Sequence, residues 1–169
     1  MARDGFQCGR CGKWHDGLPM SWDFAAPVYW DPRDRSVKNG ESELTEDLCI
    51  IQRDSFFMKG NLEIPLIGQD SFFSFSIWTS LSREAFERAT KLWKDPDRIN
   101  EPPYFGWFSS SVPGYPDTIN LKTNVHTRGV GVKPLIELEP SEHPLAIEQR
   151  SGITLTRVAE IAAILVHGS

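Results

Sequence analysis

The chain has 169 residues, 40% apolar and 24% charged, with a formal net charge of −5 and a pI near 5.4. That length suits one domain able to bury about two thirds of its unfolded surface, and the composition excludes a disordered chain. Negative charge without a Lys/Arg cluster argues against nucleic acid and membrane surfaces as partners.

The first residues lack the basic-then-apolar layout of a secretion signal and no stretch is apolar enough to span a bilayer, so the expected address is the cytoplasm. We read 1–169 as a single domain, with an irregular N-terminal segment over 1–46 and an α+β core over 47–169. The first segment carries a Cys-rich turn, the aromatic pair Tyr29 and Trp30 and a polar run over 33–46. Short stretches of strand character follow at 48–52, 56–59, 62–67 and 72–79; in the last, Phe73, Phe75 and Ile77 alternate with Ser74, Ser76 and Trp78. Together they suggest an antiparallel meander.

Ser82 is a candidate N-cap for a helix over 82–94, whose Ala85, Phe86, Ala89, Leu92 and Trp93 recur at helical spacing before Asp95 and Pro96 stop it. Strands are expected at 104–108 and 118–127, the second with Ile119, Leu121 and Val125 on one face and Asn120, Lys122, Asn124 and His126 on the other. Pro134 marks 133–139 as an edge strand, because proline cannot donate to a ladder. Pro144 fits the first turn of a short helix closing before Gly152. A last helix, capped by Thr154 or Thr156, presents Leu155, Val158, Ala162 and Leu165 as its apolar stripe. The expected fold is therefore α+β, a mainly antiparallel sheet with two to three helices.

Chemistry concentrates in few places. Cys8 and Cys11, two residues apart and followed by Gly12, have the spacing of a zinc knuckle; His15 and Cys49 could complete a tetrahedral structural zinc site. Redox catalysis is the weaker reading, since no strand–helix context precedes Cys8 to lower its pKa. Buried free thiols are the bland one. His126 shares a strand face with Asn120 and Lys122 and is followed by Arg128, while Asp117 could orient an imidazole; these four are the candidate catalytic residues. Tyr104 and Trp107, with Tyr115 and Asn120, are candidate ligand contacts, although aromatics at such positions commonly serve only to cover a sheet. Glu137, Glu139, Glu142 and Glu148 around His143 form an acidic rim suited to a basic protein partner. The common nucleotide-binding, zinc-protease and serine-hydrolase motifs are absent.

The stretches FQCGRCGKWHDGLP, EDLCII, MKGNLEIP, IWTSLS, PYFGWF, PGYPDTINLKTNVHTR and ELEPSEHPLAIEQRSGI together span nearly the whole chain. In this order they resemble a bacterial family of uncharacterised proteins, the domain of unknown function numbered twenty-one ninety-nine. The resemblance implies that Cys8, Cys11, His15 and Cys49 belong to one pattern. It implies the same for Tyr104, Gly106, Trp107, Pro113, Gly114, Tyr115, Pro116, Asp117, Asn120, Lys122, His126 and His143. It implies no activity.

Three readings follow. The first is a zinc-stapled, non-enzymatic interaction or ligand-binding domain. The second is an unconventional acid–base hydrolase acting on an anionic substrate through His126 and Asp117. The third is an acidic immunity-type protein that neutralises a basic partner.

Overall fold

The computed structural model describes residues 5–8 and 12–167. The chain runs through strands β1 Gly5–Gln7, β2 Trp14–Asp16 and β3 Ser21–Asp23, then the one-turn helix α1 Arg35–Lys38 and strands β4 Glu43–Leu44 and β5 Leu48–Ile51. Strands β6 Ser55–Pro65 and β7 Phe72–Leu81 precede helix α2 Arg83–Lys91 and a 3-10 turn at Pro96–Asn100. Strands β8 Tyr104–Phe108, β9 Lys122–His126 and β10 Leu135–Leu138 lead to helices α3 Pro144–Ser151 and α4 Leu155–His167.

β6 and β7 form a long antiparallel hairpin around which everything else is arranged. Because side chains alternate along a strand, Phe56, Met58, Leu62 and Ile64 of β6 face inward with Phe73, Phe75, Ile77 and Leu81 of β7. β8, β9 and β10 continue antiparallel from β7, and β10 returns to β6, pairing Leu135 with Asn61. Five up-and-down strands thus close a barrel, and their odd number makes the closing pair parallel. Phe108, Val125 and Ile136 fill the barrel core, which Phe86 of α2, Leu145 of α3 and Val158 and Ile161 of α4 extend. Each such apolar side chain contributes about 1.5–3 kcal/mol by leaving water.

Beyond the barrel, β5 and β4 extend the sheet from the first half of β6, and β3 runs parallel to the first half of β7. This wing has its own apolar face, where Cys49, Phe57 and Trp78 are covered by Phe24, Trp30 and Leu44. Trp78 donates its indole N–H to the Phe24 carbonyl at 2.7 Å. Beside it the buried Lys59 ammonium lies 2.7 Å from Asp23 and 5.3 Å from the centre of the Trp78 ring.

Two glycines stand at the barrel seams. A Cβ at Gly60 would lie 2.6 Å from Ile136 side-chain carbons, and one at Gly106 would lie 2.2 Å from the Ser80 carbonyl oxygen. Any larger residue would push apart the strands these seams join. The edge of β10 beyond Leu135 is occupied instead by the Gln149 side-chain amide, which accepts from Leu138 N–H and donates to the Ile136 carbonyl, both at 2.8 Å.

The α+β expectation holds, and several elements differ from their sequence-based outlines. The segment 1–46 contains the β1–β2 ribbon, β3, α1 and β4, elements too short to leave a periodic signal. The stretches 56–59 and 62–67 are one strand, because Gly60 answers to the close approach of β10 and does not break the run. The expected strand over 118–127 begins only at Lys122, since Asn120 has φ +67° and Thr118 is buried, its hydroxyl bonded to the Ser110 carbonyl. The expected edge strand at 133–139 lies inside the barrel between β9 and β6: Pro134 precedes the strand, and its carbonyl accepts from Asn61 N–H at 2.9 Å. In α4, Ile161 joins the buried stripe and Leu155 is exposed. Helix α2 ends at Lys91 with Phe86 buried, leaving Leu92 and Trp93 half-buried.

Candidate functional site

The four candidate catalytic residues do not converge. His126 and Lys122 are the two ends of β9, about 13 Å apart at 3.3 Å per residue. His126 Nε2 lies 3.4 Å from Glu137, its cross-sheet neighbour on β10, and not from Asp117. The Asp117 carboxylate accepts from Ile119 N–H at 2.9 Å, closing a local turn. Arg128 folds back, as the adjacent glycine allows, but its guanidinium meets Glu63 at 3.2 Å and the Lys133 carbonyl at 2.7 Å. Lys122 is exposed, directly across from Trp107. A general base needs its proton donor or orienting carboxylate within hydrogen-bond reach, and this set supplies none.

Two of the candidate ligand contacts are structural ties. Tyr104 donates to Glu101 at 2.7 Å, and Glu101 also receives a two-pronged bond from Arg88 at 2.7 and 2.6 Å. The Arg88 and Tyr104 bonds hold the Glu101 carboxyl down to about 2, while burial and the bond to Glu101 push Tyr104 up to about 12. Tyr115 donates to Glu148 at 2.6 Å, Arg157 reaches the other oxygen of Glu148 at 2.9 Å, and the Arg157 guanidinium lies 5.3 Å from the Tyr115 ring centre. Burial and then Glu148 raise the Tyr115 phenol well above its ordinary range. The Pro-Gly-Tyr-Pro-Asp stretch is thereby strapped onto α3 and α4. His143 completes the strap: its Nδ1 accepts from Leu145 N–H at the start of α3, so the proton sits on Nε2, 3.1 Å from the Pro116 and Asp117 carbonyls. The acidic residues near His143 therefore divide between this strap, through Glu148, and the β10 face, through Glu137.

The other two, Trp107 and Asn120, line one open cleft of about 390 Å³ together with Tyr29, Asp54, Phe57 and Ser80. Three features build it. Val28 N–H bonds the Ser109 carbonyl at 3.0 Å, which brings Tyr29 alongside the end of β8. The left-handed pair Gln52 and Arg53, with φ +52° and +57°, turns β5 into β6 and sets Asp54 at the rim. The Phe108 N–H and C=O bond Leu121 and Asn120, each at 2.8 Å, and the left-handed φ of Asn120 aims it at the same opening. Trp107 is held from below, its N–H to Ser80 Oγ and its carbonyl to Thr79 Oγ1, both at 3.2 Å, while 42% of the residue stays exposed. Tyr29 is 50% exposed and stacks obliquely on Phe57, ring centres 5.7 Å apart. Exposed aromatics over an apolar floor, with hydroxyl and amide groups at the rim, are the make-up of a binding cleft. Tyr29, Asp54 and Ser80 had no sequence signal beyond the bare aromatic pair at Tyr29 and Trp30.

Of the expected zinc ligands, Cys8 and Cys49 fall in different places. Cys8 is buried against Ala162 and Ala163 of α4, with Leu18 packed beside it. Its N–H bonds the Lys13 carbonyl at 2.9 Å, and Gly12, at φ +71°, donates to the Cys8 carbonyl at 3.0 Å, closing a tight turn at the head of the β1–β2 ribbon. Cys11 lies outside the described residues, as does the side chain of His15. Cys49 belongs to the separate wing cluster with Phe57 and Trp78, because β5 pairs with β6 and does not pass beneath the turn; burial pushes its thiol up to about 12. Among the described residues no group of three or more His, Cys, Asp or Glu could hold a metal ion. Among them too, no helix is long and apolar enough to cross a membrane.

No curated protein and no solved structure matches the chain. A family model does, over residues 7–153, which include β2 to β10, α3 and every residue of the cleft. The chain belongs to that family, described as uncharacterized protein conserved in bacteria (DUF2199).

Proposed function

We propose that this protein is a non-enzymatic ligand-binding module that recognises its partner in the cleft between Tyr29 and Trp107. The observation that carries this reading is the pairing of two half-exposed aromatic residues, Trp107 on the barrel and Tyr29 on the loop beside it, with a polar rim. Supporting it, Asp117, Arg128, Tyr104 and Tyr115 are all engaged in local ties, so the hydrolase reading loses the His126–Asp117 pair, and the carboxylate beside His126 is the exposed Glu137. The test is an NMR titration with a panel of small cations, anions, sugars and aromatic amides. Saturable shifts should cluster on Trp107, Asn120 and Ser80. Turnover of model esters or phosphoesters that is lost in His126→Ala would replace this reading with the hydrolase.

We further propose a zinc ion as a staple of the N-terminal ribbon, held by Cys8, Cys11 and His15 with its fourth ligand unassigned. Its support is the tight turn with left-handed Gly12, which lets a Cys-x-x-Cys backbone wrap a metal. Cys49 is left out, since it packs in another cluster. Elemental analysis of protein expressed with ample zinc decides it: about one equivalent is expected, and less than about a tenth would remove the staple.

A further inference from the structure

We infer that the cleft takes an organic cation, an ammonium or guanidinium group set against the Trp107 and Tyr29 rings with Asp54 as its counter-charge. The inference rests on the binding-module reading and specifies its ligand.

The charge pattern of the cleft supplies the first reason. Among the described residues Asp54 is the one charged side chain that lines it; the nearby Arg83 lies over Phe56 and donates to the Arg53 carbonyl, so an anionic ligand would meet an unpaired carboxylate. Asp54 makes no ion pair among the described residues, and accepts only from the neighbouring Ser55 hydroxyl, at 3.2 Å. An incoming cation would find that carboxylate available, and the net charge of −5 would draw it in.

The rings supply the second reason. An aromatic face is electron-rich and attracts a cation placed within about 6 Å of its centre. This protein uses that attraction repeatedly: Lys59 lies 5.3 Å from Trp78, Arg83 4.8 Å from Phe56, Arg98 5.5 Å from Trp93 and Arg157 5.3 Å from Tyr115. Those rings are occupied from within the chain. Among the described residues Trp107 and Tyr29 make no such cation contact; each packs against one other ring, Phe105 and Phe57, and stays half exposed. The rim groups Ser80 and Asn120 each carry an oxygen that can accept from an N–H donor. Ser80 Oγ already accepts from the Trp107 backbone N–H, which fixes its position, while the buried Ser109 donates to the Trp107 carbonyl beneath.

The experiment is a titration of the whole protein with tetramethylammonium chloride, N-acetyl-arginine amide, a short Gly-Arg-Gly peptide, neutral tert-butanol and sodium acetate at matched ionic strength. The indole N–H signal of Trp107, assigned through Trp107→Phe, is the readout. Saturable shifts are expected with the three cations and none with tert-butanol or acetate. Asp54→Asn should weaken cation binding at least about threefold, and Trp107→Ala should abolish the shifts seen at Ser80 and Asn120. A peptide that binds more tightly than the free cations would assign the cation to a protein side chain, whereas equal affinities would assign a small amine. If tert-butanol shifts the signal as strongly as tetramethylammonium, the cation assignment falls while the binding module stands. If acetate binds, the cation assignment falls likewise. If no probe moves the signal, both fall. Should Trp107→Ala not fold, Asp54→Asn alone carries the test, because that side chain lies on the rim.

Discussion

Arg98 offers the sharpest test of how the barrel and its surroundings cohere. It is 6% exposed and, among the described residues, makes no ion pair with a carboxylate. Its guanidinium donates instead to four carbonyls, those of Trp93 at 2.9 Å, Arg128 at 2.8 Å, Gly129 at 2.8 Å and Val132 at 3.1 Å. One side chain thus ties the end of α2 to the loop that leads into β10. Replacement by Met keeps much of the volume and removes all the donors. Each hydrogen bond to a charged group is worth about 1.5–3 kcal/mol. The carbonyls of Gly129 and Val132 lie in a partly exposed loop and regain water, and Met avoids the cost of burying a charge. Two unreplaced bonds remain, so Arg98→Met should cost about 3–5 kcal/mol, a large part of a typical domain's stability. Urea unfolding gives the number, and hydrogen exchange should show early loss of protection over residues 128–134. A cost below about 1 kcal/mol with unchanged protection would mean that the loop holds itself and the guanidinium only decorates it.

Four further outcomes are expected. Gly106→Ala places a methyl within 2.2 Å of the Ser80 carbonyl oxygen, and should destabilise by about 1–3 kcal/mol or more in urea unfolding while shifting NMR signals along β7 and β8. Tyr115→Phe leaves Glu148 paired with Arg157 but removes one bond, costing about 1–2 kcal/mol by thermal or chemical denaturation. Glu101, held down to about 2, contributes stability that is complete above its unfolded value of 4.5 and is lost as pH falls towards 2; Glu101→Gln should flatten that part of the stability profile. Cys49, with its thiol pushed up to about 12 in an apolar cluster, should resist iodoacetamide at pH 8 in the folded protein and react once urea unfolds it.

Strand alternation and helix caps were legible because they are local. Phe73, Phe75 and Ile77 fixed the inward face of β7, and Ser82 accepts from Ala85 N–H as its position before a periodic run implied. What was hidden depends on residues far apart in sequence. Gly60 reads as a break until Ile136 is seen against it, and Pro134 reads as an edge marker until Asn61 is seen bonding its carbonyl. The site divided along the same line. Trp107 and Asn120 were recognisable as candidates, but Tyr29 and Asp54 reach the cleft only through a long-range backbone bond and an unusual turn that no local pattern announces. Asp117 was paired with His126 for the usual role of a carboxylate beside imidazole, whereas β9 brings His126 to Glu137 and the Asp117 carboxylate closes its own turn.

The parallel closing pair has a consequence for how the chain reaches this shape. The β6–β7 hairpin and the β8–β9–β10 meander join strands that are near one another along the chain, so each can form with little loop-closure entropy. Pairing Leu135 with Asn61 must wait until both are in place, and it spans the whole of α2 and strands β7 to β9. Contacts of such long range slow folding, which makes closure of this seam the late step. The same seam is the natural first point of opening. The Asn61 amide, bonded across it to Pro134, should exchange with solvent at a lower free energy than the amides at the centre of the β6–β7 hairpin.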